Sequence, residues 1–483
     1  MEKLIQLSLV EMRSLMARHE LSAQEIVTTY MQRIATYDSQ GPQLNSVRAL
    51  NMNLLHEAVA YDREERMDLT TRGPLHGIPV LVKDNIDVLG MPNTAGSTAM
   101  KDHFPKEDAP VVAALRKAGA LILGKANMTQ WANFMTTNMP GGYSALGGQV
   151  KSPYNPGEYS PGGSSSGSGA AVGAGLAPVS VGTETSGSIL SPAHAAGIVG
   201  IKPTLGLLSR RGIIPIAPSQ DTPGPMGRCI ADVALMLQVM AQPDPLDMST
   251  LGTSTVKKDY LEALEGASLE GVRLGVVRQP LEKMTEEQQA RFAEALQELQ
   301  ELGAVLIDVD LPGLAAMQDW RSKVLLHEFK PALNAYLKDV ASHLPVHSLA
   351  ELLVYNSQHA AVELRYGQSQ IQDAELLSGT LTDREYIEHR LQDLEHSRAQ
   401  GIDYGLLRAE AEALVFPGIS AAAIGARAGY PTLNLPLGLL PEGQPFSLTL
   451  AGTAFTERIL LRYGYAYERS FPRRVWPEGF AGV

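Results

Sequence analysis

Apolar residues recur at helical spacing in the first part of the chain. The clearest example within residues 1–65 consists of these positions: Val27, Tyr30, Met31 and Ile34. A repeat of three to four residues places such side chains on one face of a helix. The pattern therefore predicts amphipathic helices over residues 1–65.

Residues 66–230 show a different pattern, in which short continuous apolar runs alternate with glycine-rich turns. The segments "IPVLVKDNID" and "ALILGKAN" are such runs. Short apolar runs bounded by turn residues are typical of strands that are buried on both faces. This alternation predicts an α/β core.

One stretch of this core, residues 161–193, is unusually rich in serine and glycine: "PGGSSSGSGAAVGAGLAPVSVGTETSGSILSPA". A flexible linker would be polar and aperiodic. Here alanine, valine and leucine instead occur at helical density and are followed by the strand-like "PVSVG". We predict the order loop, small-residue helix, strand, loop. Because a helix of small residues packs closely against its neighbours, the two serine-bearing loops are expected to lie side by side.

The second half of the chain returns to longer elements. The segments "GVRLGVVRQP", "TEEQQARFAEALQELQELG" and "AVLIDVDLP" predict a strand, a helix with Thr285 as its N-cap, and a second strand. Residues 315–400 predict a mainly helical, cap-like region, and residues 405–483 predict a return to the core sheet. No internal repeat is visible, and we expect one domain over residues 1–483.

The charge balance argues against two classes of partner. The 483 residues carry a net charge of −12 at pH 7 without a basic stripe, whereas nucleic acids and anionic membranes select clustered lysine and arginine. The N-terminal sequence lacks the apolar core of a signal peptide, and a membrane-spanning run is not found. One cysteine excludes an internal disulfide and fits a reducing compartment. We therefore expect a cytoplasmic protein with no nucleic-acid or membrane partner.

Three short motifs match known patterns but lack the required context. "GALILGK" resembles a phosphate-binding P-loop, yet Ala126 stands where a magnesium-binding serine or threonine is needed. "GSSSG" resembles the nucleophile elbow of α/β hydrolases, although a turn and not a strand precedes it. "STVK" matches the Ser-x-x-Lys pattern without the later Lys-Thr-Gly. The 11 histidines show no metal-ligand spacing, so we expect neither a metal nor a cofactor.

What remains is serine chemistry supported by a lysine. A serine hydroxyl needs a base within hydrogen-bond reach, and a lysine can serve when burial keeps it neutral. Lys83 follows the apolar run "IPVLV" and is therefore a candidate for such a buried base. The alternative is that Lys83 only forms a structural ion pair with Asp84 or Asp87. Ser188 follows a strand in a turn whose Gly187 permits close approach of the backbone, and such a turn can bind an oxyanion. The alternative for Ser188 is a turn that only starts a helix.

Taken together, these motifs resemble the amidase signature family. The family pattern has a Gly-Gly-Ser-Ser loop, then Gly-Thr-Asp-Thr-Gly-Gly-Ser-Ile and Gly-x-Lys-Pro-Thr. Here the three stand as "GGSSSGSGAAVGAG", "GTETSGSILSPA" and "GIKPT", and "HGIPVLVKDNID" and "AGYPTLNLPLG" extend the similarity over most of the chain. The resemblance implies an α/β fold with a mixed central β-sheet wrapped by α-helices.

The resemblance also implies a catalytic triad of two serines and a lysine. Carried to this sequence, Ser188 is the nucleophile, Ser164 is the bridging serine in a cis peptide bond, and Lys83 is the base. The implied reaction is hydrolysis of a carboxamide to a carboxylate and ammonia through an acyl-enzyme. The implied oxyanion hole consists of four backbone N–H groups: those of Thr185, Ser186, Gly187 and Ser188.

Glu184 replaces the aspartate of the family pattern, and two further departures matter for the site. Ser186 stands where the family commonly has glycine, and Leu190 stands where it has arginine. The segments "GTETSGSI" and "SRRGIIPIAPSQDTPGP" look most like the bacterial peptide amidases, which remove the C-terminal amide of peptides. This favours a stand-alone enzyme, monomeric or homodimeric, that acts on peptide or small amides. The alternatives are the glutamine-hydrolysing component of a tRNA-dependent amidotransferase and a non-catalytic binder of small ligands.

Overall fold

The computed structural model describes residues 4–66 and 73–480. Within these residues the strands are β1 (Val47–Leu50), β2 (Pro79–Lys83), β3 (Leu121–Ala126), β4 (Tyr143–Ser144), β5 (Gly148–Gln149), β6 (Val179–Glu184), β7 (Val199–Lys202), β8 (Thr222–Gly227), β9 (Arg273–Val276), β10 (Val305–Asp308), β11 (Ala413–Pro417), β12 (Thr432–Leu439) and β13 (Pro445–Ala451).

The α-helices of the same residues are α1 (Leu9–Ala17), α2 (Ala23–Arg33), α3 (Leu54–Arg66), α4 (Pro110–Lys117), α5 (Ser166–Gly173), α6 (Leu190–Ala195), α7 (Ile230–Met240), α8 (Glu286–Glu301), α9 (Pro312–Asp319), α10 (Val324–Leu337), α11 (Leu349–Gln358), α12 (Ala360–Glu363), α13 (Ser369–Glu375), α14 (Arg384–Leu394), α15 (Asp403–Ala409), α16 (Ala422–Ala428) and α17 (Glu457–Ser470).

Most of the strands form one large sheet. Its order is β1-β3-β2-β6-β8-β7-β12-β13-β11-β9-β10, and β4 and β5 pair separately. Strand β2 runs parallel to β3 and β6, and β9 runs parallel to β10 and β11. The other pairs of this sheet are antiparallel. The sheet is thus mixed, and the predicted α/β fold is confirmed.

The N-terminal segment contains both helices and a strand. Capping boxes at Ser8 and Ser22 begin α1 and α2, as the helical pattern predicts. The prediction of helices alone over residues 1–65 is wrong at Val47–Leu50, which forms edge strand β1 against β3. Four residues on a partly exposed sheet edge are too few to show a strand period in the sequence.

The strand, helix and strand predicted near residue 285 are β9, α8 and β10. Thr285 caps α8 through a reciprocal capping box with Gln288, and Gly303 follows the helix with φ +86°. Strands β9 and β10 then pair in parallel. The local sequence signals therefore specified this unit correctly.

The glycine-rich run forms helix α5 followed by strand β6. Every residue of α5 is buried. A Cβ atom on Gly169 would lie 2.7 Å from the carbonyl oxygen of Pro192 in α6, so the two helices touch backbone to backbone. This close packing brings the loop before α5 against the loop before α6, as expected from the small residues of α5.

A substitution in α5 tests this packing. A Cβ on Gly167 would lie 2.3 Å from the backbone oxygens of Ser46 and Asn127. We expect Gly167→Ala to lower the free energy of unfolding by about 1–3 kcal/mol, the usual cost of overpacking a dense core. Urea denaturation measures this change. Gly252→Ala is the control, since no heavy atom lies within 4 Å of that Cβ position; equal loss in both variants would contradict the packing argument.

Helices α10 to α13 form a helical layer that packs against the loops after β2 and β3. Buried Glu363 of α12 accepts hydrogen bonds from the backbone N–H of Thr98 at 2.7 Å and from the Gln130 amide. On α10, the Tyr336 hydroxyl donates to Asp87 at 2.7 Å. These polar contacts hold the helical layer against the loops that follow β2 and β3.

Candidate functional site

Lys83 is the last residue of strand β2 and is completely buried. Its Nζ lies 2.8 Å from the Ser164 hydroxyl, 2.8 Å from the Thr183 hydroxyl and 3.2 Å from the Thr183 carbonyl oxygen. The alternative pairings of Lys83 are not adopted. Asp84 instead pairs with Lys125 at 3.5 Å, and Asp87 accepts hydrogen bonds from Tyr336 and Asn93.

Burial changes the protonation of this lysine. Desolvation lowers the pKa of Lys83 to about 7, while the negative charges of Asp221 and Glu184 act in the opposite direction. A lysine with this pKa has a substantial neutral population near neutral pH. The Nζ atom can therefore exchange a proton with the Ser164 hydroxyl that it touches.

Ser164 lies in the loop before α5, where the peptide bond between Gly163 and Ser164 is cis. The side chain of Ser164 is buried. The backbone carbonyl oxygen of Ser164 accepts a hydrogen bond from the N–H of Thr129 at 3.0 Å. The next residue, Ser165, donates its backbone N–H to the carbonyl oxygen of Ser188 at 3.1 Å. Through this hydrogen bond the loop of Ser164 is joined directly to the turn of Ser188.

Ser188 lies in the turn between β6 and α6 and is largely buried. Gly187 has φ +82° in this turn, a conformation that glycine adopts without steric cost. The turn is closed by the Glu184 carboxylate, which accepts hydrogen bonds from the N–H groups of Ile189 at 2.7 Å and Leu190 at 3.0 Å. The carboxylate at the end of β6 thus fixes the backbone that follows Ser188.

The departure at Ser186 is accommodated by this turn. The positive φ falls at Gly187, and the side chain of Ser186 is exposed to solvent. Ser186 is therefore outside the left-handed conformation that a Cβ atom disfavours, and as an exposed residue it needs no space in the core. Leu190, the second departure, is buried as the first residue of α6.

Two residues of the site were missed in the sequence. Thr183 provides two of the three contacts of the Lys83 amine, and Asp221 accepts a hydrogen bond from the Thr185 hydroxyl at 2.5 Å. The Asp221 carboxylate also accepts hydrogen bonds from the backbone N–H groups of Ile216 and Ala217, each at 2.8 Å. Desolvation raises the pKa of Asp221 to about 6. Their only sequence signals are their places in "VGTETSG" and "SQDTPGP", neither of which indicates a partner.

A cavity of about 440 Å³ borders this cluster at Thr183 and Thr185. It extends between the loop that contains Ile213 to Ile216 and helix α10. A cavity of this size lies in the usual range for small-molecule sites. A ligand-sized space therefore adjoins the two threonines that contact Lys83 and Asp221.

Two features are absent from residues 4–66 and 73–480. These residues form no group of three or more histidine, cysteine, aspartate or glutamate side chains that could hold a metal ion. Their helices include none with both the length and the apolar character needed to cross a bilayer.

Comparison with known proteins identifies the family. Residues 25–461 match the family model Amidase. The chain belongs to the amidase family. The structure of this amidase is similar to that of the native peptide amidase of Stenotrophomonas maltophilia. The TM-score is 0.92, and the two sequences are 41% identical over 98% of each chain.

The amidase is also similar in sequence to two curated proteins. It is 36% identical to a probable amidase of Arabidopsis thaliana, over 95% of this chain and 89% of that protein. It is 41% identical to the A component of the glutamyl-tRNA(Gln) amidotransferase of Symbiobacterium thermophilum, over 63% of this chain and 61% of that protein. The family resemblance found in the sequence is confirmed, and the amidase is an amidohydrolase that acts on C–N bonds.

Proposed function

We propose that this amidase hydrolyses the C-terminal amide of peptides, or small carboxamides, to a carboxylate and ammonia. The proposed catalytic residues are Lys83, Ser164 and Ser188, and the reaction passes through an acyl-enzyme. The observation that carries the proposal is the 2.8 Å contact between the Ser164 hydroxyl and the amine of a completely buried lysine. Similarity to a peptide amidase supports the choice of substrate.

The three contacts of Lys83 fit a neutral amine that acts as a base. A neutral amine has two hydrogens and one lone pair, and Thr183 offers two acceptors, its hydroxyl at 2.8 Å and its carbonyl at 3.2 Å. When both hydrogens are donated to Thr183, the lone pair faces the Ser164 hydroxyl. Asn85 also donates to the Thr183 hydroxyl at 3.1 Å and so holds this acceptor in place.

The proposed reaction begins with a proton relay. Lys83 takes the proton of the Ser164 hydroxyl while Ser164 takes that of Ser188, and the Ser188 oxygen attacks the amide carbon. The C–N bond of the tetrahedral intermediate then breaks, and the relay runs in reverse to protonate the leaving ammonia. Water hydrolyses the resulting ester of Ser188 by the same route and restores the free enzyme.

The negative oxygen of the tetrahedral intermediate needs fixed hydrogen-bond donors. We propose that these are the backbone N–H groups of the turn Thr185–Ser188. The Glu184 carboxylate holds the turn from its far side through Ile189 and Leu190, and Asp221 holds it through the Thr185 hydroxyl. Donors that are fixed before the reaction stabilise developing charge without a cost of reorganisation.

The pKa of Lys83 predicts a pH dependence. Lys83 acts as a base only when it is neutral, and its pKa of about 7 means that the neutral fraction grows as the pH rises. We expect kcat/KM for a neutral carboxamide to increase about tenfold per pH unit below pH 7 and to level off above it. A pH–rate profile measures this increase of kcat/KM. A rate that is highest near pH 5 would contradict the assignment of Lys83 as the base.

The substrate class is tested by ammonia release from a panel of amides. The panel contains C-terminal peptide amides, simple alkyl and aryl carboxamides, and glutamine. We expect release from the peptide amides or simple carboxamides. Release from glutamine alone would favour the function named for the amidotransferase relative. Release from none of them would favour the non-catalytic binder.

A further inference from the structure

The cavity beside the proposed triad has a mainly apolar wall. The loop residues Ile213, Ile214 and Ile216 form one side, and Ala332 of α10 faces them from the helical layer. The small side chains of Ala332 and Ala335 leave room between α10 and the loop, and Tyr336 of the same helix also lines the cavity. The cavity therefore offers apolar surface within reach of the turn Thr185–Ser188.

The mouth of the cavity is apolar as well. Leu246 and Met248 line it, and their side chains are 73% and 75% exposed. Two large apolar side chains exposed together at a cavity mouth lose contact with water when an apolar ligand binds. Methionine is flexible and polarisable, so it adapts to ligands of different shape.

Two arginine side chains line the cavity, and each forms an ion pair with a carboxylate. The Arg210 guanidinium pairs with Asp247 at 3.0 Å, and the Arg211 guanidinium pairs with Asp244 at 3.1 Å. Arg211 also pairs with Glu107. A further carboxyl group, that of Asp221, lines the wall. An anionic ligand group would therefore meet carboxylates and paired guanidinium groups instead of a free cation.

We propose that this cavity binds the side chain next to the scissile amide and selects substrates in which that side chain is large and apolar, aromatic or branched aliphatic. This inference rests on the proposed function, because the acyl part of the substrate must remain near Ser188 while ammonia leaves. Anionic side chains are disfavoured at the same position. Burial of apolar surface supplies the preference, and each additional methylene group contributes to it.

The test compares substrates that share one leaving group. The substrates are the amides of N-acetylated phenylalanine, leucine and glycine and the α-amide of N-acetylglutamic acid, and kcat/KM is measured from ammonia release. We expect the wild-type enzyme to favour the phenylalanine and leucine amides over the glycine amide by about tenfold or more. The glutamic acid amide should be the poorest substrate of the four.

Two variants connect this preference to the cavity. Ala332→Leu fills the space opposite the isoleucine residues and should reduce the phenylalanine-to-glycine ratio of kcat/KM by about tenfold. Met248→Gln keeps the length of the side chain, makes the mouth polar and should lower the ratio in the same direction. The control is Ala361→Leu, an equally large change at an exposed position of α12 outside the cavity, which should leave the ratio unchanged.

The outcomes separate this inference from the proposed function. Hydrolysis of all four amides at equal kcat/KM, or a preference for the glycine or glutamic acid amide, would overturn the cavity assignment while amide hydrolysis stands. Equal ratios in Ala332→Leu and Ala361→Leu would overturn it too. A wild-type enzyme that releases ammonia from no carboxamide would refute the proposed function and this inference with it.

Discussion

Replacing Ser188 by alanine should abolish amide hydrolysis, with a loss in kcat on the order of 10⁴-fold or more. The variant lacks the oxygen that forms the acyl-enzyme. The turn itself should persist, because its closing hydrogen bonds run to Glu184 from the backbone N–H groups of Ile189 and Leu190. Ammonia release under single-turnover and steady-state conditions measures the loss.

A neighbouring serine provides the control for this variant. Ser191 lies in the first turn of α6, and it contacts Gly187 through its backbone N–H, which Ser191→Ala retains. We expect Ser191→Ala to keep the activity within a few-fold of the wild type. Activity of Ser188→Ala comparable with that of Ser191→Ala would mean that another group attacks the amide.

Replacing Lys83 by methionine should lower kcat/KM on the order of 10³-fold and remove the rise of rate through pH 7. Methionine fills similar space without a basic nitrogen. The substitution should cost little stability, because desolvation disfavours the charged form of Lys83 and the amine contacts only neutral oxygens, those of Ser164 and Thr183. Kinetics across pH and urea denaturation of the same preparation give the two readouts.

Lys125 is the matched control, since it is also a completely buried lysine and is the second-last residue of the neighbouring parallel strand β3. Its amine pairs with buried Asp84 at 3.5 Å and donates to the carbonyl oxygen of Ile86 at 2.5 Å. Lys125→Met removes the ion-pair partner of Asp84, which keeps its hydrogen bonds from Thr94, and should cost about 3–5 kcal/mol of unfolding free energy. The assignment of Lys83 as the base would be wrong under the opposite result. In that result Lys83→Met lowers the free energy of unfolding, and Lys125→Met removes the rise of kcat/KM through pH 7.

These two lysines also show how far the sequence defined the site. The apolar run before Lys83 indicated a buried strand end, and the family pattern proposed roles for Ser164 and Ser188. Spacing alone left the partner of Lys83 open between a neighbouring aspartate and a distant serine. The partner of Lys83 depends on the strand order β3-β2-β6. In this order Lys83 of β2 contacts Thr183 of β6, and Asp84 forms an ion pair with Lys125 of β3. Such an order is a property of long-range packing and has no local signal.

The same reason explains which elements were found and which were missed. Helix α8 carries its own capping box and apolar stripe, so its sequence specifies it locally. Strand β1 is four residues long and acquires its conformation only from pairing with β3. Asp221 likewise gains its place in the site only when the loop before β8 folds against Thr185. The treatment of residues 1–483 as one domain and the roles of the three proposed catalytic residues stay predictions.

Acid-quenched mass spectrometry during turnover shows whether Ser188 carries the acyl group. An activated p-nitrophenyl ester of an N-acetylated amino acid acylates quickly, so that hydrolysis of the acyl-enzyme limits turnover and the adduct accumulates. We expect a mass increase equal to the acyl group on the peptide that contains Ser188, and no such increase in Ser188→Ala. An adduct on Ser164 or Ser165, or continued hydrolysis of the ester by Ser188→Ala at the wild-type rate, would contradict the role of Ser188 as the nucleophile.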